Sequence, residues 1–240
     1  MRLPLALLLL LAAPEASATC RDIAFEAASY TVCDVSAGED LRLFHAGAEG
    51  VLGSFAAVDA ALALGDRTLG FAMNAGMYQP DRSPVGLYIE NGIETSALIT
   101  RDVPDNFGLL PNGVFCINAR FAVIESRAYA ARPPACRYAS QSGPMLVIAG
   151  ALHPKLIADS ESLNIRNGVG VSADGARAVF AISNDAVNFH TFARLFRDLL
   201  GLPNALYFDG SISRLHAPEL GRSDGGFPMG PIVGTVVPKG

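Results

Sequence analysis

This 240-residue chain lacks most of the signatures that settle a function at sight. It has no G-x-S-x-G elbow, and Ser142, the serine in the most suggestive setting, has no obvious histidine partner. No P-loop, dinucleotide fingerprint or calcium-binding loop is present. Histidine is scarce, and His45, His153, His190 and His216 are scattered, none at ligand spacing from a cysteine. C-x-x-C is also missing, so nothing here builds a zinc site, and neither a metal nor another cofactor is expected. Lys and Arg form no run, aromatic and basic residues do not interleave, and the net charge is −5. That combination argues against a nucleic-acid surface. Internal repeats, low-complexity tracts and Pro/Gly/Ser linkers are absent too, so a single domain is expected over residues 19–240.

What is present begins with a leader. Met1-Arg2 is a short basic start, Leu5 to Leu11 is apolar, and Ala16-Ser17-Ala18 is a small-x-small cleavage site. Together they predict a secretory signal peptide over residues 1–18. An apolar run of about eight residues cannot cross a bilayer, which needs ~20. Thr19 is too bulky to precede a lipidated cysteine, which argues against an anchor on Cys20. No later stretch is long enough to span a membrane, so the expected product is soluble and secreted or periplasmic. Cleavage removes Arg2 and Glu15, leaving the balance at −5. Four cysteines remain, Cys20, Cys33, Cys116 and Cys136. In an oxidising compartment they suggest two disulfides with three possible pairings. Cys20–Cys33 with Cys116–Cys136 closes the shortest loops and is the expected set.

Strand signals dominate the rest. Ile23 to Phe25 and Tyr30 to Val35 open the domain, and Thr68 to Met73 reads as a buried strand delivering Asn74. Asn91-Gly92 and Asp174-Gly175 lie between apolar runs and predict hairpins. Gly113 to Ile117 with Phe121 to Ile124 makes another pair, and Pro144 to Ile148 a further strand. One helix is predicted from Ser54 to about Leu64, ended by Gly65. A second runs from Asn188 to Leu200, with Phe189, Phe192, Leu195, Phe196 and Leu199 as its apolar stripe and Gly201 as its stop. Hairpins outnumber helices, which predicts an α+β domain with a mixed or mainly antiparallel sheet and few packed helices.

The polar residues then fall into a pattern. Ala205-Leu206-Tyr207-Phe208-Asp209-Gly210-Ser211 is an apolar strand ending in a carboxylate, a glycine and a hydroxyl. Asn74-Ala75-Gly76, Asn112-Gly113, Gln141-Ser142-Gly143-Pro144 and Arg166-Asn167-Gly168 abut apolar runs in the same way. A stiff strand is the usual support for a side chain that meets a ligand, and five such ends point to one shared polar site. The plainer reading of Asp209-Gly210 is a turn former, and Asn-Gly is above all a turn signal. Arg166 carries a planar fork suited to phosphate or carboxylate, and its plainer reading is a surface arginine near a turn.

At these clusters the sequence resembles the phosphodiester glycosidase family. The resembling segments are Ala72 to Tyr78, Pro111 to Phe115, Gln141 to Leu146, Arg166 to Gly170, Leu206 to Ser211 and Gly230 to Gly234. They fall in family order, and the chain is most similar to short bacterial exported members made of this domain alone. The resemblance implies hydrolysis of a glycosyl phosphodiester at the sugar side, for example an N-acetylglucosamine-1-phosphate diester, giving free sugar and a phosphate monoester. It implies catalytic roles for Asp209, Arg166 and Asn74. Substrate contacts would come from Gln141, Ser142, Gly143, Asn112, Tyr78, Gly168 and Ser211. Ser211 stands where many relatives have a second glycine. The expected partner is a carbohydrate phosphodiester. Two other readings stay open: a non-catalytic periplasmic or cell-surface glycan-binding module with the same pocket, and a metal-dependent phosphoesterase.

Overall fold

Side chains alternate along each strand, and this alternation builds the molecule. In Asn204–Asp209, Leu206 and Phe208 enter a central core, whereas Ala205 and Tyr207 face the opposite way onto a helix. The structure is a computed structural model describing residues 18–102, 105–210 and 212–240. The expected leader, apart from Ala18, and the Ser211 side chain lie outside the described residues.

Three antiparallel sheets share the central core. The first has seven strands in the order Thr19–Phe25, Ala28–Ser36, Arg177–Ser183, Asn167–Val171, Asn204–Asp209, Met145–Ile148 and Ala151–Leu152. The second runs Phe121–Glu125, Gly113–Ile117, Tyr138–Ser142, Tyr88–Glu90, Ile93–Ser96. The third runs Arg222–Ser223, Leu215–Ala217, Arg67–Asn74, Ile232–Pro238, Leu41–Phe44. Phe180 and Phe208 from the first sheet, Phe115 and Tyr138 from the second, and Phe71 and Met73 from the third meet in the middle. Phe180 lies 5.0 Å from Phe71 and 5.7 Å from Phe115, ring centre to ring centre, so all three sheets touch through aromatic packing.

Each sheet carries one helix on its outer face. Phe55–Ala63 covers the third sheet through Phe55 and Val58, and Ser126–Ala131 covers the second through Tyr129. Phe189–Arg194, continuing as a π-helical turn over Leu195–Leu199, covers the first through Phe192, Leu195 and Phe196. Both predicted helix starts are capped by side chains: Ser54 Oγ accepts from Ala57 N at 3.1 Å and Asn188 Oδ1 from Thr191 N at 2.9 Å. Gly201 follows the second predicted helix with φ +65°, and Gly65 follows the Leu64 C-cap of the first, where the left-handed residue is the next one, Asp66, φ +54°. Asn91 and Gly92 both adopt positive φ, as a two-residue hairpin requires. Both expected disulfides, Cys20–Cys33 and Cys116–Cys136, are formed.

The α+β antiparallel class is as predicted. The division into three sheets is not something the strand list predicts, because Leu41–Phe44, Tyr138–Ser142, Leu215–Ala217 and Ile232–Pro238 complete the second and third sheets. The arrangement has two ends. Asn74, Ser142, Asn167 and Asp209 lie at one, and Tyr138, its cross-strand partner Ile117, and Val171 lie at the other.

Candidate active site

Where the first and third sheets converge, two asparagines lock together. Asn74 Nδ2 donates to Asn167 Oδ1 at 3.2 Å, and Asn167 Nδ2 donates to Asn74 Oδ1 at 2.9 Å and to Asn74 O at 3.1 Å. Both residues are essentially fully buried. The remaining lone pairs serve the surrounding backbone. Asn167 Oδ1 also accepts from Asp209 N at 3.1 Å, and Asn74 Oδ1 accepts from Arg214 N at 3.0 Å. Ser213 Oγ ties in by donating to Asp209 O at 2.6 Å. A buried polar network satisfied in this way is stiff. Here it fixes the main chain on which Asp209 stands.

The Asp209 side chain is half-buried and lines a cleft of about 530 Å³ shared with Tyr78, Tyr207, Asn164, Asn106 and Asp105. Tyr78 packs on Gly230, where an added Cβ would come within 2.5 Å of the tyrosine, and donates its hydroxyl to Pro228 O at 3.1 Å. Burial, then the Asp209 charge, raises the Tyr78 phenol pKa above its ordinary value. Tyr207 is buried, and desolvation holds its phenol protonated far above the usual range. Its hydroxyl lies 2.2 Å from the point an added Cβ on Gly210 would occupy. Gly210 is not among the positive-φ glycines. The glycine after Asp209 therefore makes room for a phenol and is not there to supply a left-handed turn.

Arg166 sits behind this wall. It is 1% exposed, with Nε donating to Val187 O and Nη2 to Ser162 O, both at 2.8 Å. The guanidinium carbon lies 3.6 Å from the Phe189 ring centre and 5.6 Å from that of Tyr207. Burial lowers its pKa from the ordinary value, and the nearby Tyr207 phenol opposes that shift. Nη1 is buried without a hydrogen-bond partner. Two arms of the fork are engaged by backbone, so the cation backs Tyr207 and does not line the cleft.

The other predicted residues sort in the same manner. Gln141 Oε1 accepts from Leu87 N at 3.0 Å and Ile99 N at 2.9 Å, while Nε2 donates to Ile99 O at 2.6 Å and Ser126 Oγ at 2.9 Å. Asn112 Nδ2 donates to Phe107 O at 2.9 Å, and Gly143 leaves the space that lets Asn112 and Phe107 approach. These three underpin the segment that carries Asp105 and Asn106 to the cleft. Ser142 Oγ donates to Phe208 O at 2.9 Å and joins the second sheet to the first. Gly168 lies where an added Cβ would meet Leu206 O at 2.4 Å, a close strand approach. Of the predicted set, Asp209 and Tyr78 line the cleft, Asn74 braces Asp209, Ser211 lies outside the described residues, and the others lie buried behind.

Sequence reasoning did not single out Asn167, Tyr207, Asp105, Asn106, Asn164 or Arg214 as site residues. Asn167 was adjacent to a chosen arginine but read as a turn signal, and Tyr207 read as core. Asp105 and Asn106 belong to a loop with no local pattern.

Comparison with known proteins bears on this end of the molecule. A family model described as "Phosphodiester glycosidase" matches residues 67–217, from the strand carrying Asn74 to the strand Leu215–Ala217 beyond Asp209. An uncharacterized Escherichia coli K12 protein, YigE, is 38% identical over 146 residues, covering 60% of this chain. That match spans 57% of the relative's own length. The catalytic domain of zebrafish N-acetylglucosamine-1-phosphodiester alpha-N-acetylglucosaminidase, auto-inhibited by its pro-peptide, superposes with a TM-score of 0.60 at 12% identity. The superposition covers 91% of this chain and 81% of that one, so the two share a fold. Since the family match takes in most of the chain and the whole Asn74–Asn167–Asp209 network, the chain belongs to the phosphodiester glycosidase family.

Proposed function

We infer that this protein is an exported hydrolase that cleaves a glycosyl phosphodiester at the sugar side, releasing free sugar and a phosphate monoester. The observation that carries this reading is Asp209: a carboxylate on the wall of an open polar cleft, its main chain clamped by a buried amide pair. Membership of the phosphodiester glycosidase family supports the bond class. The relative whose printed name is N-acetylglucosamine-1-phosphodiester alpha-N-acetylglucosaminidase supports N-acetylglucosamine as the first sugar to test. Export rests on the leader and on two disulfides, which persist in oxidising compartments. Among the described residues no helix is long and apolar enough to cross a membrane.

The chemistry suits these residues. Most glycosidases pair a nucleophile or base with an acid that protonates the departing oxygen. A phosphate monoester, with a second pKa of about 6, departs as an anion with little need of that proton. One well-placed carboxylate then suffices, attacking the anomeric carbon directly or through a water it deprotonates. Asp209 has that role. Asn74 and Asn167 position it, and Arg166 holds Tyr207 in the cleft wall while lending positive potential from behind. The discriminating experiment is product analysis on the para-nitrophenyl phosphodiester of N-acetylglucosamine. Free N-acetylglucosamine with para-nitrophenyl phosphate is the expected outcome. Sugar phosphate would mean phosphorus–oxygen cleavage, and saturable binding without product would mean a glycan-binding module.

A further inference from the structure

A phosphodiester carries a negative charge, and Arg166 has two of its three nitrogens tied to backbone behind Tyr207. Two other arginines lie beyond Tyr78, next to the cleft and not among the residues that line it, and are held differently. Arg214 follows the Asp209 strand and has its main-chain N on Asn74 Oδ1, one link from the amide that holds Asp209. Its guanidinium donates to Phe227 O and lies against Gly226, where an added Cβ would come within 2.4 Å of Nη2. Tyr78 donates to the very next carbonyl, Pro228 O. Arg82 approaches from the other side. The point an added Cβ on Gly53 would occupy is 2.9 Å from Arg82 Nη1 and 3.3 Å from Pro228 Cβ.

The Arg82 backbone is held to this place. Its φ is +69°, left-handed for a branched-free but bulky residue, and the turn is closed by Arg82 N donating to Gln79 O at 2.7 Å. Its carbonyl accepts from His45 Nε2 at 2.9 Å. Among the described residues neither Arg82 nor Arg214 forms an ion pair with a carboxylate, whereas Arg21, Arg42, Arg177, Arg194 and Arg222 all do. Two guanidiniums without a carboxylate partner therefore converge on one short loop beside Tyr78. Burial and then the Asp209 charge raise the Tyr78 phenol pKa, and the Arg214 and Arg82 charges oppose that shift.

We propose that Arg214 and Arg82 form a phosphate-holding subsite that extends the Asp209 cleft past Tyr78, at the Gly226–Pro228 loop. This rests on the reading of the protein as a glycosyl-phosphodiester hydrolase and adds a direction to it. The phosphate lies toward the Gly226–Pro228 loop, and the sugar lies toward Tyr207, Asn164 and Asn106. Arg214 has nitrogen atoms beyond the one anchored to Phe227 O, and a planar fork fixed at one corner is well placed to grip an oxyanion.

The test separates phosphate binding from turnover. Para-nitrophenyl phosphate, inorganic phosphate and N-acetylglucosamine are titrated calorimetrically into the wild-type protein and into Arg214→Gln, Arg214→Lys, Arg82→Gln and Arg166→Lys, each checked for folding by circular dichroism. Diester hydrolysis is measured in parallel. Arg214→Gln should weaken para-nitrophenyl phosphate at least tenfold and raise the diester KM comparably, with N-acetylglucosamine affinity within twofold of wild type. Arg82→Gln should weaken the phosphate ester several-fold, and Arg214→Lys should recover part of the loss. If the wild type binds the phosphate ester but fails to cleave the diester, and Arg214→Gln loses that binding, the subsite stands and the hydrolytic reading falls. Wild-type phosphate affinity in both glutamine variants overturns the subsite. So does a loss confined to Arg166→Lys, or a wild type that binds no phosphate.

Discussion

The two ends of the sheets carry clefts of opposite construction. The larger, about 820 Å³, lies at the far end, between Leu41, Ile117, Tyr138 and the Ala176 turn. Its charges are exposed or answered locally: Arg42 grips Asp40 at 2.8 Å through Nε, and Arg67 adds a second cation at 3.6 Å. Its wall is braced covalently, because Cys116–Cys136 closes between the strand ending at Ile117 and the residue before Arg137. The smaller cleft, about 530 Å³, is braced by buried amides and a hydroxyl around Asn74 and Asn167, and it presents a carboxylate. Cavity size alone favours the far end. The physical signature of a prepared site, a network of buried amides paired with one another and with the main chain that carries a carboxylate, distinguishes the Asp209 end among the described residues.

The sharpest way to break this contrast is Asp209→Asn. Asparagine keeps the shape but can neither attack carbon nor take a proton, so turnover should fall by about 10³-fold with melting unchanged. Steady-state rates with circular dichroism decide it, and a folded, fully active variant ends the assignment. Next in size is Gly210→Ala. The new methyl would meet the Tyr207 hydroxyl at 2.2 Å, so stability should drop by about 1–3 kcal/mol and activity by roughly tenfold. With Tyr207→Phe the nearest ring atom is 3.5 Å away, so the double variant should recover stability by about 1–2 kcal/mol. Additive losses in that cycle would return Gly210 to the status of a turn residue.

Much of this end was legible in the sequence, for a definite reason. Apolar runs broken by Asn, Asp or Gly mark strand termini, and Thr68–Met73 before Asn74 and Ala205–Phe208 before Asp209 were correctly read as such. What the pattern could not say is which way a polar side chain turns once the sheets close. The resemblance gives Asn74 a catalytic role, and its side-chain amide is taken up by Asn167 and by the Arg214 main chain. Gln141 reads as a sugar contact, and its amide is taken up by Leu87, Ile99 and Ser126. Tyr138–Ser142 carried no strand signal because it is buried on both faces yet rich in hydroxyl and amide groups, each needing a partner that only the folded chain supplies. Asp105 and Asn106 reach the cleft from a loop held by Asn112 and Gly143 at a distance no local spacing encodes.

The far end yields a smaller effect, on stability alone. Replacing Cys116 and Cys136 together by alanine opens a loop of 20 residues and should cost about 3 kcal/mol by the chain-entropy estimate. Turnover well below the new melting temperature should stay within about twofold of the parent, because the amide network does not touch that bridge. Thermal melts paired with rates would show whether the covalent brace and the amide brace are independent.

The smallest expected effect is at the floor of the larger cleft. Arg137 is exposed there, with its guanidinium carbon 5.4 Å from the Tyr138 ring centre, and it adds a minor share to the lowering of the Asp40 carboxyl pKa, which comes first from the Arg42 hydrogen bond. An exposed charge of this kind contributes at most ~1 kcal/mol, and surface substitutions usually fall within about 0.5 kcal/mol. Arg137→Gln should therefore leave kcat/KM on the glycosyl phosphodiester within twofold and the melting temperature nearly unchanged. The same arginine-to-glutamine exchange at position 214 should raise KM at least tenfold. A single chemical change made at both ends thus measures how far function is confined to one of them. Should Arg137→Gln depress kcat/KM as strongly as Arg214→Gln, the larger cavity takes part in turnover, and the division between a working end and a structural end is wrong.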